Sequence, residues 1–316
     1  MLRRLAMLAL FTALTLPAMA QSPPRLVNGF APGGTADIVA RLLADLAGPA
    51  LGARPVVETR TGATGFIAAE QVARGPADGS ATVLCVMSML AIAPELPGAR
   101  LPIDPRTDLS GVALFALSPY GLVVGAQSPY RSLAQLVEAA RARPSAVSYA
   151  SVGVGSAPHL SGVLIGLRAQ AEMVHVPYRG AAPALLDIIA NRADFMMVSL
   201  GDVTKQIQDG DLRLLALGDS RPVPLFPGIP PISATLPGVE SYTWFGLCGP
   251  RGMSAEGRAR WERGTAAAVA DPTFRSRLEA MGLVPLFEDG ATMDRRIAAD
   301  RELWGGVVRA ANIRAE

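Results

Sequence analysis

Residues 25–47 restrict the chain to a narrow class of folds. RLVNGF (25–30) reads as a strand and FAPGGTAD (30–37) as a glycine-rich loop. Ile38, Val39, Leu42, Leu43 and Leu46 then fall on one face of a helix over 35–47, with Gly48 as its stop. A strand, a glycine turn and a helix in that order make half of a crossover unit. The grammar continues with PVVET (55–59), the loop TGATGF, a helix through Ala73, and ATVLCVM (81–87), whose unbroken apolar run suits a strand buried on both faces.

The same alternation returns downstream. LVVGA (122–126), VSYAS (147–151), EMVHVPY (172–178), DFMMVS (194–199) and LRLLALG (212–218) read as strands, and most are separated by helical patterns. TWFGLCG (243–249) and LVPLF (283–287) are later strands among helices near 254–270, 272–281 and 292–311. This predicts an α/β fold with parallel or mixed sheets covered by helices, and 316 residues suit about two lobes.

The first twenty residues are a separate object. MLRR is a positive start, LAMLALFTALTL a short apolar run, and Ala18-Met19-Ala20 a cleavage pattern, so residues 1–20 read as a secretory signal peptide. Without Arg3 and Arg4 the formal charge is zero, which removes any basic surface for nucleic acid. Cys85 and Cys248 lie far apart in apolar strands, and the reading favoured here is two buried free thiols, although export permits a disulfide.

Catalytic and metal chemistry find little material. The chain has only His159 and His175, and no Cys-x-x-Cys, calcium loop, Gly-x-Ser-x-Gly elbow or phosphate-binding Gly-Lys loop. No cofactor or metal is expected. Ser156 and His159 could form a dyad, or Asp37 could serve His159, but a three-residue spacing at a helix start fits a capping pair better.

More telling are two strand–glycine loop–helix units, FAPGGTAD and ASVGVGSAPHL. In each, glycines let the backbone approach a ligand, and Thr35 or Ser156 opens a helix whose positive end points outward. Two such ends facing across a cleft would grip an anion, so Thr35 is expected opposite GVGSAPH.

FAPGGTADIVARLLADLAGPALGARPVVETRTGATGFIAAEQVARGPADGSATVL resembles the opening of the Bug-type substrate-binding proteins of tripartite tricarboxylate transporters. LPIDPRTDL, VSYASVGVGSAPHLSGVL, VHVPYRGAAPALLDIIANRADFMM, DGDLRLLALG, SYTWFGLCGPRGMS and DPTFRSRLEAMG continue the likeness in order. The resemblance implies a monomeric periplasmic receptor of the Venus-flytrap kind, with two α/β lobes, mixed sheets and crossing strands. Lobe 1 would hold residues 21–123 and 243–316, and lobe 2 residues 124–242. Such receptors carry a small organic acid, here a mono- or dicarboxylate, to inner-membrane carrier subunits; a sensing role beside a membrane receptor and, remotely, an exported hydrolase are the alternatives.

The resemblance places ligand contacts at Phe30, Ala31, Gly33, Gly34 and Thr35, with Asp37 buttressing that loop, and at Ser151, Gly155, Ser156 and His159. Two departures stand out. VMSMLAIAP (86–94) replaces a polar segment, leaving Ser88 between Met87 and Met89, which either make the wall there apolar or only pack the core. Val198-Ser199 replaces an Asp-Asn pair, which leaves Ser199 at the site and argues against an amine-bearing ligand. Both point to a less polar acid.

Overall fold

The computed structural model describes residues 22–315; the expected signal peptide lies outside them. The chain runs β1 (Arg25–Asn28), α1 (Thr35–Leu51), β2 (Val56–Thr59), α2 (Phe66–Ala73) and β3 (Ala81–Val86), followed by one π-helical turn, Ser88–Ile92. After a short α3 (Pro105–Asp108) comes the long β4 (Leu109–Gly125). Next are α4 (Leu133–Ala142), β5 (Ser148–Ser151), α5 (Ala157–Ala169), β6 (Val174–Pro177), α6 (Ala181–Ile189), β7 (Phe195–Ser199), α7 (Leu200–Gln208) and β8 (Leu212–Leu217). The chain returns through β9 (Tyr242–Pro250), α8 (Ala255–Ala270), α9 (Pro272–Ala280), β10 (Val284–Asp289) and α10 (Gly290–Ala310).

Two parallel trios carry the same order. β1 lies between β2 and β3, and β5 lies between β6 and β7. Antiparallel β9 and β4 join the trios into one mixed sheet, β2-β1-β3-β9-β4-β7-β5-β6, with β8 and β10 also on β4. β4 belongs to both halves. Its residues from Leu109 to Pro119 pair with β9, and those from Tyr120 onward pair with β7 and β8.

β4 starts well before the predicted 122–126 strand. Pro119 and Gly121 read as breakers within a run that is buried along its whole length. Pro119 is tolerated because it sits where β4 changes partners, so its missing N–H interrupts no continuous ladder. α1 likewise runs past Gly48 to Leu51 and ends at Gly52, whose φ of 79° supplies the left-handed cap. Gly48 serves packing instead: a Cβ there would stand 3.1 Å from the Arg54 Cα.

The core collects three buried tryptophans, each with its N–H satisfied. Trp244 donates to Asp300 at 2.8 Å, Trp261 to the Gly79 carbonyl at 2.9 Å, and Trp304 to the Met87 sulfur at 3.2 Å.

The two cysteines are not free. Cys85 and Cys248 form a disulfide, with Cα atoms 6.1 Å apart. The 163-residue separation hid this, because only the antiparallel β3–β9 register, Val83 opposite Cys248 and Cys85 opposite Gly246, makes them neighbours. Replacing both by Ser should lower stability by about 2–4 kcal/mol in urea unfolding. Alkylation of the unfolded, unreduced protein should leave both sulfurs unmodified; full labelling would show the bridge absent.

Candidate functional site

All six strands of the two trios point their carboxyl ends toward one cleft, where open α/β sheets bind ligands. The cleft encloses a cavity of about 510 Å³. The first turns of α2, α5, α6 and α7 reach its wall through Phe66, Ala157, Ala181 and Asp202, and Ser88 opens the π turn there. Several helix N-termini therefore aim positive partial charge at one space. Most of the wall is apolar, including Phe30, Leu96, Leu101, Val152, Val154, Met196 and Val198.

The β1–α1 loop is held from behind. Asp37 accepts hydrogen bonds from Asn28 Nδ2 (3.1 Å), the Gly33 N–H (3.1 Å) and Arg41 Nε (2.9 Å). Burial pushes its carboxyl up, but these donors, Arg41 foremost, hold it below the usual range. Asp37 is thus the expected buttress. Asn28, which also receives the Phe30 N–H at 3.0 Å, is its unforeseen partner. Phe30 lines the cavity; Ala31, Gly33 and Gly34 form an exposed tip outside its wall.

Thr35 is not part of the cavity wall. Its hydroxyl donates to Asp202 Oδ1 at 2.5 Å, so the start of α1 abuts the start of α7. The protein's own carboxylate therefore stands at this helix end, where an external one was expected. Asp202 is open to the cavity yet recessed among protein atoms. That desolvation raises its pKa, and the Thr35 hydrogen bond only partly opposes the rise. What faces the α5 loop is Leu96: a Cβ on Gly155 would lie 2.4 Å from its Cδ1.

In the second loop Gly155 and Ser156 reach the cavity, while Ser151 and His159 shape it from behind. Ser156 caps α5 by accepting from the His159 N–H (3.4 Å) and donates to the Gly153 carbonyl (2.6 Å). The Gly155 N–H donates to His159 Nδ1 at 3.0 Å. Ser151 Oγ lies 2.6 Å from His175 Nε2, and the two imidazoles stack at 4.0 Å between centroids. Ser156 and His159 are thus a capping pair and not a nucleophile–base pair. With the Gly153, Gly155 and Ser156 N–H groups all used internally, the α5 start offers mainly its dipole.

Ser88 and Ser199 both line the cavity, and Ser199 Oγ lies 2.6 Å from Ser118 Oγ. Met87 and Met89 do not. The π turn winds them into the core, 1% and 0% exposed, and the apolar wall comes from other residues. Three wall residues carried no local signal: Arg100, Tyr120 and Asp202. The TGATGF loop also contributes Ala63 and Thr64, both with left-handed φ (46° and 55°) between two positive-φ glycines. Strain of this kind concentrates at binding sites.

The profile of the tripartite tricarboxylate transporter family receptor matches residues 39–313. A Pseudomonas sp. protein from the tcbD-tcbE intergenic region is 34% identical over 270 residues, 85% of this chain and 80% of that one. The structure of R. palustris Rpa4515 with adipate superposes with a TM-score of 0.84 at 31% identity, covering 94% of this chain and 99% of that one. MatC from Rhodopseudomonas palustris with bound malate gives 0.78 at 25% identity, covering 91% and 99%.

Proposed function

Because the chain belongs to the tripartite tricarboxylate transporter receptor family, we propose that it is an extracytoplasmic receptor that closes on a small organic acid and delivers it to a membrane carrier. The observation that carries this reading is the convergence of the strand ends and helix starts on one cavity with a mostly apolar wall. Helix dipoles favour an anion there. The apolar lining favours a hydrocarbon body over a sugar or a peptide backbone. The two structural relatives are described with adipate and with malate, both small organic acids, and adipate has such a body.

No helix among the described residues is long and apolar enough to cross a membrane. With an N-terminal signal peptide, the receptor would work in the periplasm. Closure would be a hinge motion between lobes of residues 21–123 with 243–316 and residues 124–242. Contacts between the two groups of residues include the Thr35–Asp202 and Thr204–Met281 hydrogen bonds and the Leu96–Gly155 approach.

A thermal-shift screen of four- to eight-carbon mono- and dicarboxylates, followed by calorimetry, tests the proposal. At least one acid should bind with a one-to-one stoichiometry and raise the melting temperature. Clear binding of sugars or cationic peptides with no response to any acid would sink it.

A further inference from the structure

The cavity has two polar regions of opposite character. Arg100 lines the cavity four residues after Leu96, the side chain that packs on Gly155. Asp202 lies on the α7 side. Among the described residues these are the only Arg, Lys, Asp or Glu side chains that line the cavity. Arg100 and the α5 dipole suit one carboxylate. The Asp202 side is unsuited to another, since a second carboxylate there would meet a like charge.

Tyr120 completes the Asp202 side. It sits opposite Ser199 in the β4–β7 register, and Asp202 follows Ser199 by three residues in the first turn of α7. Tyr120 is 7% exposed, lines the cavity, and its hydroxyl forms no hydrogen bond with the described residues. Asp202 accepts from the Thr35 hydroxyl at Oδ1 and from the Thr35 N–H, and the same carboxylate lines the cavity. An unpaired donor and a carboxylate with lone pairs to spare thus line the same cavity. A hydroxyl satisfies both, accepting from Tyr120 and donating to Asp202. An ammonium would pair with Asp202 but has no lone pair to accept the Tyr120 O–H, and a methyl group satisfies neither.

We propose that Tyr120 and Asp202 are specificity-determining residues that select a monocarboxylate bearing a hydroxyl group at the far end of an apolar body. This inference rests on the carboxylate-receptor reading and narrows it. It sets the chain apart from its adipate-bound relative in the end group accepted.

Calorimetry with four six-carbon probes tests the idea: 6-hydroxyhexanoate, hexanoate, adipate and 6-aminohexanoate. In the wild-type protein 6-hydroxyhexanoate should bind about tenfold or more tighter than each of the others. Tyr120→Phe should bring 6-hydroxyhexanoate down toward hexanoate. Asp202→Asn should raise adipate relative to hexanoate by about tenfold. Ratios within one variant cancel any general loss of closure from breaking the Thr35 contact. Adipate or 6-aminohexanoate binding tightest, or ratios unchanged in both variants, overturns the inference and leaves the carboxylate reading standing. Failure of all four probes together with the wider acid screen overturns that reading itself.

Discussion

Gly155→Val should weaken ligand binding by about tenfold to a hundredfold while leaving a folded protein. Gly155 has φ of +75°, a region that a β-branched residue enters only with strain of about 1–3 kcal/mol. Its Cβ would also stand 2.4 Å from Leu96 Cδ1. Leu96 can swing away, but it lines the cavity itself, so relief of the clash moves the wall. The loop that carries Gly155 is tied to His159 and Ser156, and the distortion therefore reaches the start of α5. Gly210→Val is the matched control. Gly210 has φ of +82°, has open space where a Cβ would go, and lies outside the cavity wall. It should cost stability with affinity unchanged. Calorimetry with an acid taken from the screen reads both variants, and equal affinities for the two would remove Gly155 from the site.

The helix starts were legible in the sequence because they depend on local chemistry. Glycine at a left-handed position, Ser156 as a cap and Asp37 behind its loop all act within a few residues of themselves. What was not legible depends on chain segments meeting across the fold. Asp202 reaches the start of α1 from 167 residues away. Tyr120 reaches the cavity only because β4 changes partners at Pro119, the residue that made this stretch look broken. The Cys85–Cys248 bridge needs the β3–β9 register. Met87 and Met89 sit at a strand end, as cleft residues do, but a π turn rotates them inward, and no periodicity rule announces that turn. The resemblance named loops of which Phe30, Gly155 and Ser156 reach the cavity, and it did not name the 96–102 segment, which contributes Leu96, Ala99, Arg100, Leu101 and Pro102 to the wall.

The second large effect should be a fall in stability as the pH drops from about 6.5 toward 4. His159 is 6% exposed, and its Nδ1 accepts the Gly155 N–H, so the folded state holds it neutral with its proton on Nε2. Burial, then the neighbouring His175, lowers its pKa from 6.5 to about 4. Burial lowers that of His175 as well. A depressed pKa favours the deprotonated form in the folded state. The stabilisation is therefore complete above the unfolded value near 6.5, declines as the unfolded chain gains its proton, and is gone below about 4. For His159 the change is on the order of 3 kcal/mol. His159→Gln isolates it, because a Gln side-chain oxygen can still accept from Gly155 but does not titrate. Urea unfolding at a series of pH values should show the wild type losing stability relative to this variant across the window. An NMR titration should place His159 near 4, and an ordinary value near 6.5 would refute the account. Ligand affinity should follow a different curve. It should hold through the upper part of the window, where folded His159 is still neutral. It should fall only near 4, where protonation at Nδ1 breaks the bond that shapes the Gly155 loop.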